Sequence, residues 1–398
     1  MKPQAVILAA GASTRMQPLT LTRPKPLLPM VNKPIIDHTL EQLRGLVKEL
    51  VLVVGYRKEM IEQHLQNSPL AKHFAITLVE QKQQRGTGDA LLAAKQHLSD
   101  RFLVLNGDDL YSQKDIAACL KQERCVLVCE VHNPEIFGVI EHDQDGKVLR
   151  IVEKGKYPPT KLANTGLFLL DTSIFATKVR PSKRKEIELT DCVTAVAKHA
   201  PITYHTVEGY WLPIGYPWNM LDAHEFLMEG VKRQIKGTVE KGATVNGNVS
   251  IGKGTSVLSG SYIDGPVVIG DNCHIGPNCY LRKGTVIGDN CHVGAGVEIK
   301  NSILFPNTKV PHLTYVGDSI IGENVNIGGG SMIANLRHDN ANIKTMVKGK
   351  LLDTGRRKFG AVIGDNVKLG TKTIIYPGRK IGPGKTTLPG QIVKQDIR

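Results

Sequence analysis

"VIGDNCHIGPNCYLRKGTVIGDNCHVGAGVEI", residues 268–299, returns to an aliphatic side chain every six residues: Ile269, Ile275, Leu281, Ile287, Val293 and Ile299. Carried backward, the same frame takes in Val239, Val245, Ile251, Val257 and Ile263 without a miss. Four places after each aliphatic residue stands a small or β-branched one, among them Thr255, Ser261, Cys273, Cys279, Thr285 and Cys291. This is the hexapeptide signature of a parallel β-helix. Its coils of three short strands stack at about 4.8 Å and bury their aliphatic residues along the axis.

The period also decides how the cysteines are read. "CHIGPNC", with His274 and His292 beside two of the cysteines, invites a metal site. The frame instead puts Cys273, Cys279 and Cys291 at the small inward position, as filler of the coil interior. Cys119, Cys125, Cys129 and Cys192 show no ligand spacing, and reduced thiols of a cytosolic protein account for them.

The frame fails after Ile299, resumes at Ile321, Ile327 and Ile333, fails again, and returns at Ile363, Leu369, Ile375, Ile381, Thr387 and Val393. Segments excluded from a regular coil are expected as loops, where sites are usually built. The first break holds "KNSILFPNTKVPHLTYVGDS". The second, "ANLRHDNANIKTMVKGKLLDTGRRKF", carries seven Lys plus Arg between Arg337 and Lys358, an expected anion-binding rim.

Residues 1 to about 220 read differently. Strand-like runs (AVILAA, ELVLVVGY, FLVLNGD, CVLVCEV) alternate with helical stretches such as "IIDHTLEQLRGL". Alternation of this kind implies a layered α/β domain with a largely parallel sheet, whose ligands sit beyond the strand C-termini. The expected division is an α/β domain over 1–221, a linking helix over 222–237, and the β-helix over 238–398.

With 398 residues the chain has room for two or three cores. No apolar run approaches a membrane span and the N-terminus lacks a signal-peptide pattern, so a cytoplasmic protein without membrane contact is expected. The formal charge of +14 lies almost wholly in residues 231–398, with 23 Lys plus Arg against 11 Asp plus Glu. No helix-turn-helix, zinc-finger or RNP-like stretch accompanies it. Small phosphorylated ligands are therefore expected rather than nucleic acid.

The loop after the first strand, "GASTRMQPLTLTRPKPLL", is neither a Walker A sequence nor GxGxxG. It places Gly11 at the strand end and then Arg15 and Lys25 about a loop apart. With "QKQQRGTGDAL", "LNGDD", "FGVIE", "VEK" and "ANTG", it makes the first half resemble the sugar-1-phosphate nucleotidylyltransferases. The second half resembles the acetyltransferase part of bifunctional enzymes that make UDP-N-acetylglucosamine, most closely the archaeal ones. That likeness rests on "HLTYVGDSIIGENVNIGGG", "ANLRHD" and "GRRKFGAVIGDNVK". A Rossmann-like nucleotidyltransferase domain followed by a left-handed β-helix, against the usual right-handed crossover, is what this resemblance implies.

For the first half the resemblance implies Mg²⁺-dependent transfer from UTP or dTTP to a sugar-1-phosphate. Arg15 and Lys25 would stabilise the triphosphate, and Leu8, Ala10, Gly11, Gln81, Gly86 and Thr87 would surround the nucleotide. Gly138, Glu153, Lys154, Asn164 and Gly166 would hold the sugar phosphate. Asp108 would ligate the metal, with Asp109 as the alternative. Many relatives have a second metal-binding Asp in a "WxDxG" motif. Here "WLPIGYPWNML" has Pro213 at that place, so Asn219 or Asp222 takes over or the metal keeps one protein carboxylate; Asn219 is preferred.

For the second half it implies acetyl transfer from acetyl-CoA to an amino-sugar-1-phosphate, with His312 as the base; a neutral imidazole suits that task near pH 7. Arg282, Lys300, Tyr315 and Asn326 would contact sugar and phosphate, and Asn335, Gly329 and Thr371 the coenzyme. The related enzymes form this site between subunits of a homotrimer. Leu336 replaces a Tyr of the bacterial enzyme, and the longer C-terminal arm of that enzyme is missing. The competing reading keeps nucleotidyl transfer, as in glucose-1-phosphate pyrophosphorylases, and makes the β-helix a module for assembly.

Overall fold

A computed structural model describes residues 3–155, 157–182 and 185–398. It divides into two compact units. The first comprises residues 1–12, 24–27 and 34–213; the second comprises 13–23, 28–33 and 214–398. Part of the opening loop thus belongs to the second unit, which no linear division of the sequence anticipates.

In the first unit the strands Ala75–Glu80, Glu49–Val54, Gln4–Leu8 and Arg101–Asn106 lie side by side and parallel, in that order. Leu162–Asp171 then joins antiparallel to Arg101–Asn106. Runs such as "AVIL" are continuous rather than alternating because apolar layers cover both faces of the sheet. Gly11 and Asp108 leave the sheet at the C-terminal ends of neighbouring parallel strands, where an open α/β sheet presents its ligand site.

The second unit is a left-handed parallel β-helix of three ladders. Partners in successive coils are 18 residues apart, as in Val257 opposite Ile275 and Ile263 opposite Leu281. The aliphatic column from Ile251 to Val393 forms one core, and the small inward positions are closed by coil-to-coil bonds such as Thr308 Oγ1 to the Gly322 carbonyl at 2.7 Å. Cys273, Cys279 and Cys291 are buried in that interior.

Two sequence expectations are corrected and one is met. The first frame break is no loop: Val293 pairs with Val310, Ile299 with Val316 and Leu304 with Ile321, all 17 residues apart. Two turns are each one residue short, which shifts the frame without interrupting the coil. The second break is a true excursion, with an antiparallel hairpin of Lys344–Val347 and Lys350–Asp353, after which Ile321 pairs with Ile363. Finally, the helix expected over 222–237 runs over Pro217–Glu229, and Gln234–Ile235 is already a strand of the first coil. Pro217 at its start and a Tyr216/Asn219 capping box begin it early.

Candidate functional site

At the strand ends of the first unit, the Lys25 ammonium is almost wholly buried and lies 2.8 Å from Asp108 Oδ2, whose side chain stays partly exposed. Asp109 turns the other way. It is buried and accepts the Trp211 indole N–H at 3.4 Å, so Asp108 is the carboxylate available to a ligand. The space above Gly11 is open, since a side chain there would touch nothing. The carbonyls of Leu8 and Ala10 are spent on structure: Leu8 receives the Gly107 N–H at 2.9 Å, and Ala10 receives Tyr56 N–H and Gln84 Nε2.

Gln81 is buried and donates from Nε2 to the Gly86 carbonyl at 3.1 Å and to Asp89 Oδ2 at 2.9 Å. Gly86, at φ +106°, lies where a Cβ would come within 2.4 Å of the Ile187 carbonyl, so glycine alone fits. Thr87 opens the helix Thr87–Ala93 and accepts the Leu189 N–H at 3.0 Å. Asp89, Ile187 and Leu189 thereby hold this corner together. Asp89 lies in a quoted motif, but no motif singled out Ile187 or Leu189.

Gly138, Glu153, Asn164 and Gly166 come together. The Gly138 carbonyl receives Asn164 N–H at 2.8 Å, Asn164 Oδ1 receives Gly166 N–H at 3.0 Å, and the Glu153 carboxylate faces Gly138 while accepting from Thr190 Oγ1 at 2.8 Å. A Cβ on Gly166, at φ +81°, would overlap the Asn106 amide, so Asn106 closes over it. Lys154 is exposed and makes no hydrogen bond or ion pair among the described residues. Burial, with Glu188 and Glu153 nearby, raises the Asp191 carboxyl above its usual range. This acidic side suits hydroxyl groups, and Lys154 suits a phosphate.

Arg15 and Asn219 belong to the second unit. The Arg15 guanidinium lies 5.2 Å from the Tyr216 ring centroid. Asn219 is already employed: its Oδ1 receives Tyr216 N–H at 3.0 Å and its Nδ2 donates to Asp222 at 3.2 Å, while Asp222 pairs with Arg356. Asn219 thus caps its own helix, and its expected role as a metal ligand rests on the resemblance alone. Among the described residues no cluster of three or more His, Cys, Asp or Glu could hold a metal ion.

On the β-helix, His312 ends the strand Lys309–His312 and is exposed, its imidazole making no hydrogen bond among the described residues. Gly329 lies directly below it in the next coil, where a Cβ would come within 3.2 Å of His312 Cβ, and the Gly329 carbonyl receives Lys372 N–H, next to exposed Thr371. His312, Gly329 and Thr371 thus form a column along one corner of the stack.

Around the corner from His312, Tyr315 receives Asn335 Nδ2 on its hydroxyl at 3.1 Å. Asn335 also bonds Asp318, which is buried and lies 3.6 Å from Lys300 Nζ. Burial and Asp318 push the Tyr315 phenol up, whereas Lys300 pushes the Lys358 ammonium down. Two cations crowd here around one carboxylate, an arrangement that an incoming anion relieves. Arg282, one coil before Lys300 on the same ladder, pairs with Glu298 at 2.7 Å. Asn326 stands apart on the ladder of His312's strand, opposite Lys309. Asp318 and Glu298 were missed by sequence reasoning, although Asp318 falls at one of the shortened turns, whereas Lys358 belongs to the expected basic rim. Arg337 and Arg356 of the basic excursion are already paired, with Asp339 and with Asp222 and Glu225, so the expected rim is less free than its composition suggests.

A protein named Bifunctional protein GlmU, from Methanocaldococcus jannaschii, is 40% identical over 395 residues, 99% of this chain and 95% of that one. A bifunctional sugar-1-phosphate nucleotidylyltransferase/acetyltransferase from Sulfurisphaera tokodaii is 40% identical over 402 residues, 99% and 98% of the two chains. The chain belongs to this bifunctional transferase family. As a bifunctional transferase, it matches the Nucleotidyl transferase family model over residues 4–230 and the GMPPB C-terminal domain model over residues 263–395. A solved UDP-glucose pyrophosphorylase complexed with UDP-glucose is 26% identical with a TM-score of 0.54, covering 57% of this bifunctional transferase and 99% of that chain. Among the described residues no helix is long and apolar enough to cross a membrane.

Proposed function

We propose that the chain makes a UDP-N-acetyl amino sugar, or its dTDP analogue, in two steps. It N-acetylates glucosamine-1-phosphate or galactosamine-1-phosphate from acetyl-CoA, and it transfers a nucleotidyl group from UTP or dTTP to the sugar-1-phosphate. In the second reaction a phosphate oxygen of the sugar attacks the α-phosphorus of the triphosphate and pyrophosphate leaves. The protein supplies position and charge rather than a nucleophile. Lys25, freed from Asp108, neutralises the triphosphate, and Arg15 assists it. Gln81, Gly86 and Thr87 face the base; Glu153 and Asn164 take sugar hydroxyls and Lys154 the phosphate.

The partly exposed carboxylate of Asp108, at a strand end beside Lys25, would hold a Mg²⁺ ion. Such an ion supplies charge neutralisation between the phosphates.

For acetyl transfer, the sugar amine attacks the thioester carbonyl, His312 takes the amine proton, and coenzyme A leaves as the thiol. Lys300, Arg282 and Lys358 receive the sugar phosphate. Gly329 and Thr371 keep the corner column small enough for the pantetheine arm.

One observation carries the proposal over the reading of the β-helix as an assembly module. An imidazole without a hydrogen bond stands three residues from the Tyr315, Asn335 and Asp318 network, and a module for assembly needs no such set. Oligomerisation accompanies it: Tyr262 and Tyr280, and beyond Glu298 and Tyr315 also Met332, Ile374 and Ile392, are exposed along one ladder, which we assign to a homotrimer contact. A soluble, cytoplasmic enzyme without nucleic-acid or membrane partners follows from the same reading. The test crosses acetyl-CoA, UTP and dTTP with glucosamine-, galactosamine- and glucose-1-phosphate on the purified protein. Coenzyme A release with an amino sugar supports the bifunctional reading; nucleotidyl transfer with no acetylation of any amino sugar sinks it.

A further inference from the structure

Within the second unit, a cavity of about 520 Å³ lies between the opening-loop segment and the last coils of the β-helix. One wall is Thr14, Gln17, Pro18 and Leu21; the others are the hairpin turn at Lys348 and the strand Lys380–Ile381 with the residues that follow it. Four cationic side chains line the cavity, Lys348, Lys380, Lys385 and Arg398, against one acidic side chain, Asp396. Asp396 is partly committed, since its Oδ1 accepts the Lys380 backbone N–H at 3.0 Å.

Lys380 is the decisive residue. It is only 9% exposed, and its ammonium makes no hydrogen bond or ion pair among the described residues. A cation this little exposed, with only the cavity to solvate it and no hydrogen-bonded protein partner, is poorly compensated. Burial pushes it down to about 8, against the pull of Asp396 and with the push of Arg398. An anion in the cavity supplies the missing partner. The volume falls within the ordinary range for small-molecule sites and far exceeds a bare phosphate, and Pro18, Leu21, Met346 and Ile397 offer apolar wall to the rest of a ligand.

The cavity is separate from the acetyl-transfer column. It borders the ladder that holds Val362–Ile363 and Lys380–Ile381, whereas His312 ends a strand of another ladder. Its loop wall, however, is the segment that carries Arg15.

We propose that this cavity binds a phosphorylated small molecule of about sugar-phosphate size, and that its occupation alters nucleotidyl transfer through the loop bearing Arg15. The coupling rests on the reading of the first site given above; the binding does not.

The test is calorimetry on the full-length protein with inorganic phosphate and glucose 6-phosphate as probes. Lys348→Ala, on an exposed turn, and Lys380→Met should each weaken glucose 6-phosphate binding at least tenfold, and Lys25→Ala should leave it unchanged. At pH 8.5 binding should take up protons as Lys380 recharges, with Asp396, Arg398, Lys348 and Lys385 facing it, so the heat should vary with buffer ionisation. In the activity arm, saturating glucose 6-phosphate should change the KM for UTP at least twofold in the wild type and not in Lys348→Ala. No heat with either probe, binding retained in both lysine variants, or binding lost in Lys25→Ala overturns the site. Binding that follows the variants while the KM stays fixed upholds the site and overturns the coupling.

Discussion

On the proposed function, the two units hold a phosphorylated sugar in opposite ways. In the first, every site residue occupies a unique local geometry: a buried Lys25 against Asp108, and Gly86 and Gly166 in backbone conformations that exclude a side chain. In the second, a monotonous coil supplies a rigid lattice, and the candidate residues Asp318 and Asn335 gather where the repeat is shortened or interrupted, with His312 on the regular coil between the two shortened turns. A unique loop has to be stabilised contact by contact. A repeat has only to be broken in the right place.

If the units act separately, damage to one should leave the other intact. The largest expected effect is that of Lys25→Ala, which should lower nucleotidyl transfer by about a thousandfold, the scale for losing a buried charge that stabilises a phosphoryl transition state, while coenzyme A release continues at the wild-type rate. Parallel assays of pyrophosphate and thiol check this, and a fall in both would break the comparison. His312→Ala should do the reverse, lowering acetyl transfer about a hundredfold, as for a lost general base, with pyrophosphate release unchanged.

A third expectation concerns the stability of the repeat. His224 is buried against the Gly284 carbonyl at 3.0 Å, and burial depresses it to about 4. The unfolded chain binds a proton near pH 6.5 that the folded one refuses until about 4, so this residue's contribution is complete above pH 6.5 and is lost as pH falls toward 4. Between pH 7 and 5 the loss is about 2 kcal/mol. His224→Gln should flatten that limb in denaturant titrations of the full chain. An unchanged acid limb would place the sensitivity elsewhere.

The smallest effect sharpens the first site: Thr190→Val, which frees Glu153, should raise the KM for the sugar phosphate about fivefold with little change in kcat, the worth of one hydrogen bond.

The two halves were also unequally legible. A period of six announces a β-helix because each coil must bury the same kind of side chain at the same place, so the fold and the cysteine positions could be read directly. The one-residue shortenings near 300 and 318 could not, because a frame shift and a loop look alike until the pairing of Ile299 with Val316 is known. In the first half the motifs pointed to Lys25 and Asp108, but nothing local distinguishes Asp108 from Asp109; the indole of Trp211, about a hundred residues away, does. The capping role of Asn219 was illegible for the same reason. Its partner is its own helix terminus, and the spacing from a missing Asp carries no information about caps.

The most direct test of two independent transferases in one chain is complementation. Lys25→Ala and His312→Ala, each strongly impaired alone in making the nucleotide sugar from glucosamine-1-phosphate, acetyl-CoA and UTP, are mixed as purified proteins and the UDP-N-acetyl sugar is measured. The mixture should recover product formation to within about twofold of an equal amount of each wild-type site, because the acetylated sugar phosphate diffuses from one protein to the other. A mixture that stays as inactive as its components, with both variants folded, would contradict the independence of the two sites.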